Sequence, residues 1–218
     1  MKNKVELTNW MNGDKGIARA AWTSTQINIE NKTEEQIEDL IVNKLWNNGS
    51  GKPHKTPFER GIVEFNITCE QASHIHLLKH RLANINGESA RYKELKEDKF
   101  YLPNDWLDYG NEGKYWYNVL KLQSETLNEI YHTCLNELVE AGMPKARAKE
   151  SARFFKMYNS QINSNKMMSF DGFVQIYKKR NLLSPSQKEI ANVVEQMLDE
   201  IKSIPNNPFE YSLKAFNL

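Results

Sequence analysis

The sequence has little of what marks several common classes of protein. It has only two cysteines, Cys69 and Cys134, without a Cys-x-x-Cys spacing, so a disulfide framework is excluded. The formal net charge is +1, well short of the basic excess of a bulk nucleic-acid binder. No apolar run approaches the length of a membrane span, and the N-terminal residues lack the apolar core of a signal peptide. These absences predict a cytoplasmic protein that neither enters a membrane nor binds nucleic acid.

The composition is that of a globular chain. It contains 39% hydrophobic and 26% charged residues in 218 positions, without a repeat or a low-complexity tract. That length allows a sizeable buried core without disulfides. It favours one domain, or one domain with a helical extension.

Periodicity predicts an α+β fold that is rich in helix. A capping box at residues 33–36 begins a helix that reaches Trp46. Apolar and polar residues alternate over residues 61–69, which is typical of a half-buried strand. Residues 82–92 read as a polar loop. Further helices are predicted over residues 70–80, 111–141 and 149–155 and after the capping sequence Ser184-Pro185-Ser186-Gln187.

Histidine and cysteine give little sign of metal or thiol chemistry. His76 and His80 have the spacing of metal ligands on one helix face, but no third ligand stands at a familiar distance. Solvated or core histidines are commoner than metal sites, so no metal is predicted. Cys69 lies on the apolar face of the predicted strand, and Cys134 lies in a helical apolar stripe. Both are interpreted as buried small hydrophobic residues rather than nucleophiles.

One segment concentrates positive charge. Residues 79–92 contain Lys79, His80, Arg81 and Arg91 together with the hydroxyl of Ser89. Arginine, lysine and serine in such a cluster suit a phosphate or pyrophosphate group. A solvated basic helix end, where cations meet the helix dipole, explains the same residues equally well.

The same segment resembles the signature of flavin-dependent thymidylate synthases, the ThyX family. That signature is Arg-His-Arg, seven residues and Ser, followed in its longer form by Arg-Tyr. Here His80-Arg81, Ser89 and Arg91-Tyr92 stand in the matching places, and Lys79 replaces the first arginine. The resemblance implies a single domain over residues 1–218, helix-rich with a small mixed or antiparallel sheet.

Other segments resemble this family in the same order along the chain. Residues 20–24 resemble its opening, and residues 54–59 resemble its His-x-Thr-Pro-Phe-Glu segment. Residues 149–153 resemble a segment that ends in Ala-Arg, and Arg180 resembles the family's second substrate arginine. The resemblance covers about residues 17–200 and is close to the versions found in phages.

The resemblance implies an enzyme that converts dUMP to dTMP with FAD as cofactor, NADPH as reductant and methylenetetrahydrofolate as carbon donor. It also implies a homotetramer with shared active sites. The implied FAD contacts are His54, Thr56, Glu59, Lys79, His80, Arg81 and Asn86. The implied dUMP contacts are His76, Glu88, Ser89, Arg91, Arg153 and Arg180. Among these, Ser89, Arg153 and Arg180 are assigned catalytic roles.

The sequence departs from the family pattern at three places, of which Gly87 and His76 motivate an alternative function. Gly87 stands where the family usually has Glu, His76 stands where Gln is common, and one extra residue falls between Arg180 and Gln187. The alternative is a related flavin-dependent C5 methylase or hydroxymethylase of another pyrimidine nucleotide. A non-catalytic nucleotide- or RNA-binding module is the remaining reading, and the near-neutral charge disfavours it.

Overall fold

The fold combines eight α-helices of the described chain with a small sheet. This computed structural model describes residues 1–25, 29–80, 83–89, 91–183 and 187–218. The helices have the following bounds: α1 Gly13–Thr23, α2 Glu34–Glu38, α3 Gln71–Leu78, α4 Gly110–Glu140, α5 Lys145–Ala152, α6 Phe170–Tyr177, α7 Lys188–Lys202 and α8 Glu210–Phe216. Short 3₁₀ turns cover Ile29–Asn31, Thr56–Arg60, Asn104–Asp108 and Arg153–Phe155. Two π-helical segments, Asp39–Trp46 and Lys178–Leu182, directly continue α2 and α6. None of the described helices is long and apolar enough to cross a membrane.

The sheet has four strands. They are β1 Lys4–Met11, β2 Ile62–Glu70, β3 Ala83–Gly87 and β4 Gln161–Ser169, in the spatial order β1-β2-β4-β3. The sheet is antiparallel, which confirms the predicted helix-rich α+β class. The predicted strand at residues 61–69 is confirmed as β2, whose Val63, Phe65, Ile67 and Cys69 are all buried.

The chain separates into two compact units. Unit 1 consists of Met1–Lys4, Thr68–Leu77 and Asn86–Ser164, and unit 2 consists of Val5–Ile67, Leu78–Ile85 and Asn165–Leu218. The single domain implied by the family resemblance stays a prediction.

The core of unit 1 forms where α4 meets α5. Tyr131 and Leu135 of α4 are buried together with Ala148 and Ala152 of α5, and Cys134 packs against this cluster. The small alanines allow α5 to approach the long helix closely. Gly142, at φ 95°, supplies the left-handed conformation that ends α4 before the turn into α5.

The core of unit 2 is aromatic and aliphatic. The buried rings of Phe58, Phe170, Phe209 and Phe216 pack against one another, with centroids 4.9–5.9 Å apart in the Phe58–Phe216, Phe170–Phe209 and Phe170–Phe216 pairs. Helix α7 buries the whole predicted apolar face: Ile190, Val193, Val194, Met197, Leu198 and Ile201. The predicted capping box is present, since Gln36 N donates to Thr33 Oγ1 and Thr33 N donates to Gln36 Oε1.

Several boundaries differ from the sequence expectation. The polar loop predicted over residues 82–92 is wrong in part, because β3 adds to the edge of the sheet beside β4. The strand was missed because it has only five residues and includes two asparagines and a glycine, which are uncommon in strands. Helix α7 begins at Lys188 without a side-chain cap from Gln187, and the predicted capping residues 184–186 lie outside the described residues.

Candidate active site

A cavity of about 550 Å³ in unit 1 brings together three of the predicted substrate residues. They are the neighbouring Glu88 and Ser89 and the distant Arg153. The remaining lining residues are Gln71, Leu95, Phe154, Lys156, Tyr158 and Ile162. Its volume lies within the range of about 300–1,000 Å³ that is usual for ligand sites.

Local structure explains how these side chains reach the cavity. Glu88 and Ser89 follow β3 directly, and the backbone N of Glu88 donates to the carbonyl of Asn163 on β4 at 2.8 Å. Arg153 begins the helical turn that follows α5. Because Ala148 and Ala152 are fully buried against α4, the end of α5 is held in place and Arg153 with it.

The electrostatics of the cavity favour an anion. The carboxylate of Glu88 lies 2.7 Å from the ammonium of Lys93, and this hydrogen bond raises the pKa of Lys93. The charge of Glu88 is therefore compensated. Arg153 is exposed and has no ion-pair partner among the residues that the structure describes. An unpaired guanidinium beside the hydroxyl of Ser89 can hold a phosphate oxygen through charge-assisted hydrogen bonds.

The other predicted site residues of unit 1 have separate surroundings. The Nε of Arg91 lies 3.2 Å from Glu150 Oε1 on α5, so this arginine already has an acidic partner. Asn86 is exposed on β3, and His76 is half-buried in the last turn of α3. Helix α3 ends at Leu78, so the interpretation that His76 and His80 share a helix face is wrong.

Three predicted flavin contacts come from one short segment of unit 2. The helical turn Thr56–Arg60 begins with Pro57 in its first turn and buries Phe58 completely. That anchoring leaves His54, Thr56 and Glu59 exposed. Glu59 lines a second cavity, of about 390 Å³, together with Ile62, Ala83, Asn84, Met167, Met168, Ser169 and Asp171.

Unit 2 also pairs two of the predicted residues directly. The Nη2 of Arg180 lies 3.4 Å from Nε2 of His80. Because guanidinium only donates, this contact requires His80 Nε2 to be an acceptor, as in the neutral imidazole. The Nε of Arg180 is buried and has no hydrogen-bond partner within the described ranges, which is costly unless a ligand accepts from it. Lys79 is exposed, and Arg81 lies outside the described residues.

The cysteines do not offer an activated thiolate. Cys69 is fully buried, and burial, with a smaller contribution from the charge of Glu70, raises its pKa to about 12. Cys134 is half-buried against the α4–α5 core. The predicted burial is confirmed for Cys69 and is only partial for Cys134.

Sequence reasoning missed some of the lining residues. Lys156, Phe154 and Tyr158 of the first cavity and Asn84 and Asp171 of the second were not predicted. Phe154 is 81% exposed, although phenylalanine is usually a buried residue, so its residue type did not mark it as part of a cavity. Lys156 could have been identified as a cavity residue from its position three residues after Arg153 in the sequence.

Comparison with known proteins identifies the family to which this chain belongs. Residues 6–205 match the family described as thymidylate synthase complementing protein. A flavin-dependent thymidylate synthase from Clostridium tetani is 24% identical over 218 residues, which cover 96% of this chain and 86% of that protein. Another, from Kosmotoga olearia, is 30% identical over 191 residues, which cover 78% of this chain and 75% of that protein. The chain belongs to the thymidylate synthase complementing protein family, that of the flavin-dependent thymidylate synthases, which confirms the predicted family.

A solved structure shares the fold. The UMP/dUMP methylase PolB from Streptomyces cacaoi, bound with 5-Br dUMP, superimposes with a TM-score of 0.79 at 22% identity. The match covers 99% of this chain and 95% of PolB. A likeness at this identity establishes the shared fold.

Proposed function

We propose that this chain is a flavin-dependent thymidylate synthase. It converts dUMP to dTMP, with FAD as the bound cofactor, methylenetetrahydrofolate as the carbon donor and NADPH as the reductant. The observation that carries the proposal is the unit 1 cavity, in which Ser89 and Arg153 meet although they are distant in the sequence. Family membership over residues 6–205 supports the same activity.

The nucleotide would bind through its phosphate in this cavity. Arg153 has a free charge in the described chain, and the Ser89 hydroxyl donates beside it. The exposed rings of Phe154 and Tyr158 at the same cavity provide apolar surface for a flat heterocycle. The family resemblance makes Arg180, in unit 2, a further proposed dUMP contact, and its buried Nε has a donor to offer. A cation near the ring would stabilise the negative charge that develops during substitution at C5.

The types of residue that line the second cavity, in unit 2, are suited to a flavin. This cavity has apolar walls from Ile62, Ala83, Met167 and Met168, and polar groups from Glu59, Asn84, Ser169 and Asp171. Apolar walls can hold the face of a fused aromatic ring while placed polar groups bind its edge. The family resemblance assigns FAD binding to His54, Thr56, Glu59, Lys79, His80, Arg81 and Asn86, and among the described members of this set Glu59 lines the cavity. Bound FAD would supply the hydride chemistry that these side chains lack.

The proposed assembly is a homotetramer. Helix α4 exposes large apolar side chains at Tyr115, Trp116 and Leu122, with exposed fractions of 57–61%. Exposed apolar surface of this kind marks contact with another protein surface, and a second copy of this chain is the occupant that the family resemblance implies. A cytoplasmic location stays a prediction from the sequence.

A second candidate is a C5 methylase or hydroxymethylase of another pyrimidine nucleotide. Gly87 carries no carboxylate, and that of Glu88 is bound to Lys93 and to Nδ2 of Asn163 at 3.1 Å. Assays with dUMP, UMP and dCMP, with product masses, separate the two. Turnover of dUMP alone supports the thymidylate synthase, whereas preference for another nucleotide supports the alternative.

The test of the proposal is the visible spectrum of the purified protein. Flavin absorbance near stoichiometric with protein is expected, either as purified or after adding FAD. A colourless protein that ignores added FAD would contradict the proposal and leave the non-catalytic nucleotide- or RNA-binding module, which family membership disfavours.

A further inference from the structure

Lys156 is a buried cation at the wall of the unit 1 cavity. Its side chain is only 3% exposed, although it lines the same cavity as Arg153. Its backbone N donates to the carbonyl of Arg153 at 3.0 Å, which closes the helical turn that begins at Arg153. A buried ammonium is costly unless its donors are satisfied, so its partners define what it does.

Those partners hold the ammonium in one position. Its Nζ lies 2.9 Å from Asp98 Oδ1 and 2.6 Å from Asn128 Oδ1. It also lies 4.3 Å from the centroid of the Tyr131 ring, close enough for a cation–π interaction. With two donors bound to oxygens and the charge over a ring, Lys156 is committed to the protein rather than to a ligand.

The carboxylate of Asp98 is itself fixed. Nε2 of His132 lies 2.9 Å from Asp98 Oδ2, and Nδ2 of Asn128 donates to the Asp98 carbonyl at 3.1 Å. Partial burial opposes ionisation, but hydrogen bonds from Lys156 and His132 lower the pKa of Asp98 below its ordinary value. The backbone of Asp98 has φ 47°, a left-handed conformation that a non-glycine residue adopts at a cost.

Helix α4 supplies the rigid end of this network. Asn128, Tyr131 and His132 all lie on this 31-residue helix, so the contacts of Lys156 tie the turn after α5 to it. A side chain that must meet a ligand in one geometry needs its backbone held to a fraction of an ångström. Within the turn Arg153–Phe155 the charged residue is Arg153, and it lines the cavity.

We propose that Lys156 is a positioning residue for Arg153. Its ion pair with Asp98 and its hydrogen bond to Asn128 lock the turn that carries Arg153 and so orient the guanidinium for the nucleotide. This inference rests on the proposed function, which gives Arg153 the role of binding dUMP.

The test is a double-mutant cycle on the FAD-bound protein, with dUMP affinity measured by titrating the flavin spectrum. Lys156→Met removes the charge and keeps the length of the side chain. This variant should weaken dUMP binding roughly 10-fold, because a displaced Arg153 loses part of its charge-assisted hydrogen bond to the nucleotide. FAD affinity should not change, and Lys156→Arg should recover most of the loss. The matched control is Lys214→Met, which breaks the ion pair with Glu38 in unit 2 and should leave dUMP affinity unchanged.

Introducing Lys156→Met into an Arg153→Ala protein distinguishes a positioning role from a general effect on stability. In an Arg153→Ala protein, Lys156→Met should cause no further loss of dUMP affinity, because the group that it positions is gone. An equal loss in both backgrounds, or no loss in either, overturns the inference. If Lys156→Met does not fold, Asp98→Asn removes the same ion pair with little change of shape and takes its place in the cycle.

The outcome also distinguishes this inference from the proposed function. If Arg153→Ala weakens dUMP and Lys156→Met does not, the positioning role is wrong and the proposed function stands. If the wild-type protein binds FAD and dUMP but Arg153→Ala changes nothing, the substrate site assignment is wrong and the positioning role is refuted with it. Failure of the wild-type protein to bind FAD or dUMP refutes the proposed function, and with it the inference that depends on it.

Discussion

Replacing Arg153 by alanine removes the cation of the unit 1 cavity whose charge is uncompensated among the described residues. A charge-assisted hydrogen bond is worth roughly 1.5–3 kcal/mol, so the Kd for dUMP should rise about 10- to 150-fold. Since Arg153 is exposed, the free energy of unfolding should change by no more than about 0.5 kcal/mol. FAD affinity should be retained, because the flavin is assigned to other residues. Titration of the flavin spectrum with dUMP measures the Kd for dUMP, and a separate titration with FAD measures the flavin affinity.

Helix α5, which directly precedes Arg153, offers a matched control. Arg147 on α5 is exposed and pairs with Glu150 at 3.6 Å, away from the residues that line the cavity. Arg147→Ala removes the same charge from the same unit and should leave the Kd for dUMP within about two-fold of wild type, since exposed ion pairs are worth little. An unchanged Kd in Arg153→Ala refutes the assignment. An equal loss in both variants would mean that net charge, rather than a contact, governs affinity.

Three further predictions concern other parts of the chain. Arg180→Ala should weaken dUMP by a similar factor of about 10 to 150 in the same titration, with FAD still bound; wild-type affinity would remove Arg180 from the substrate site. Replacing Cys69 and Cys134 together by alanine should preserve dTMP formation at a cost of about 1 kcal/mol per site in urea unfolding, and a folded, flavin-bound but inactive variant would restore a cysteine nucleophile. Burial raises the pKa of Asp14 from 3.8 to about 6, so the ionised form opposes folding and stability should fall by about 2 kcal/mol as pH rises from 4 to 7, compared with Asp14→Asn. Parallel pH profiles of unfolding free energy for the two proteins would contradict that reasoning.

Elements with a single strong period could be predicted from the sequence, and elements with mixed patterns could not. β2 alternates cleanly because one face meets the core, and the apolar stripe of α7 is buried in full. β4 was missed because its buried positions include Ser164 and Lys166, both polar types. Lys166 is fully buried and its pKa is lowered to about 8 by desolvation, a placement that residue type argues against. Tertiary context, rather than local pattern, makes β4 a strand.

The short helix α8 shows another limit of sequence reasoning. Its seven residues follow two prolines closely, and no local cap marks its start. Its start is stabilised from a distance, since Asp14 accepts hydrogen bonds from the backbone N of Tyr211 and Ser212 at 2.7 and 3.1 Å. A carboxylate on α1 thus does what a capping residue would do locally. Such a partner is invisible to any reading of adjacent residues.

The site residues also differ in whether a local sequence pattern identifies them. Ser89 and Arg153 were identified because each belongs to a short segment whose residue types and spacing resemble a family pattern. Lys156 belongs to no such segment, and its partners Asp98 and Asn128 are separated from it by 58 and 28 positions. Residues that touch a ligand leave a local signature, whereas the residues that hold them depend on which elements pack together.

Gly87 stands where the family usually has Glu, and this chain has its glutamate one position later, at Glu88. This difference bears on the choice of substrate. Gly87 is the last residue of β3, whereas Glu88 lies beyond the strand. Glu88 is instead bound by Lys93 at 2.7 Å and by the backbone N of Asn163 at 3.2 Å. Gly87 is not forced by its backbone, since it is absent from the positive-φ residues of the described chain, and an added Cβ would meet only the His74 ring at 3.7 Å. Neither strain nor crowding requires the glycine at this position. The side of β3 that bears Gly87 is therefore where selection between dUMP and other pyrimidine nucleotides is expected to differ from enzymes that carry Glu there.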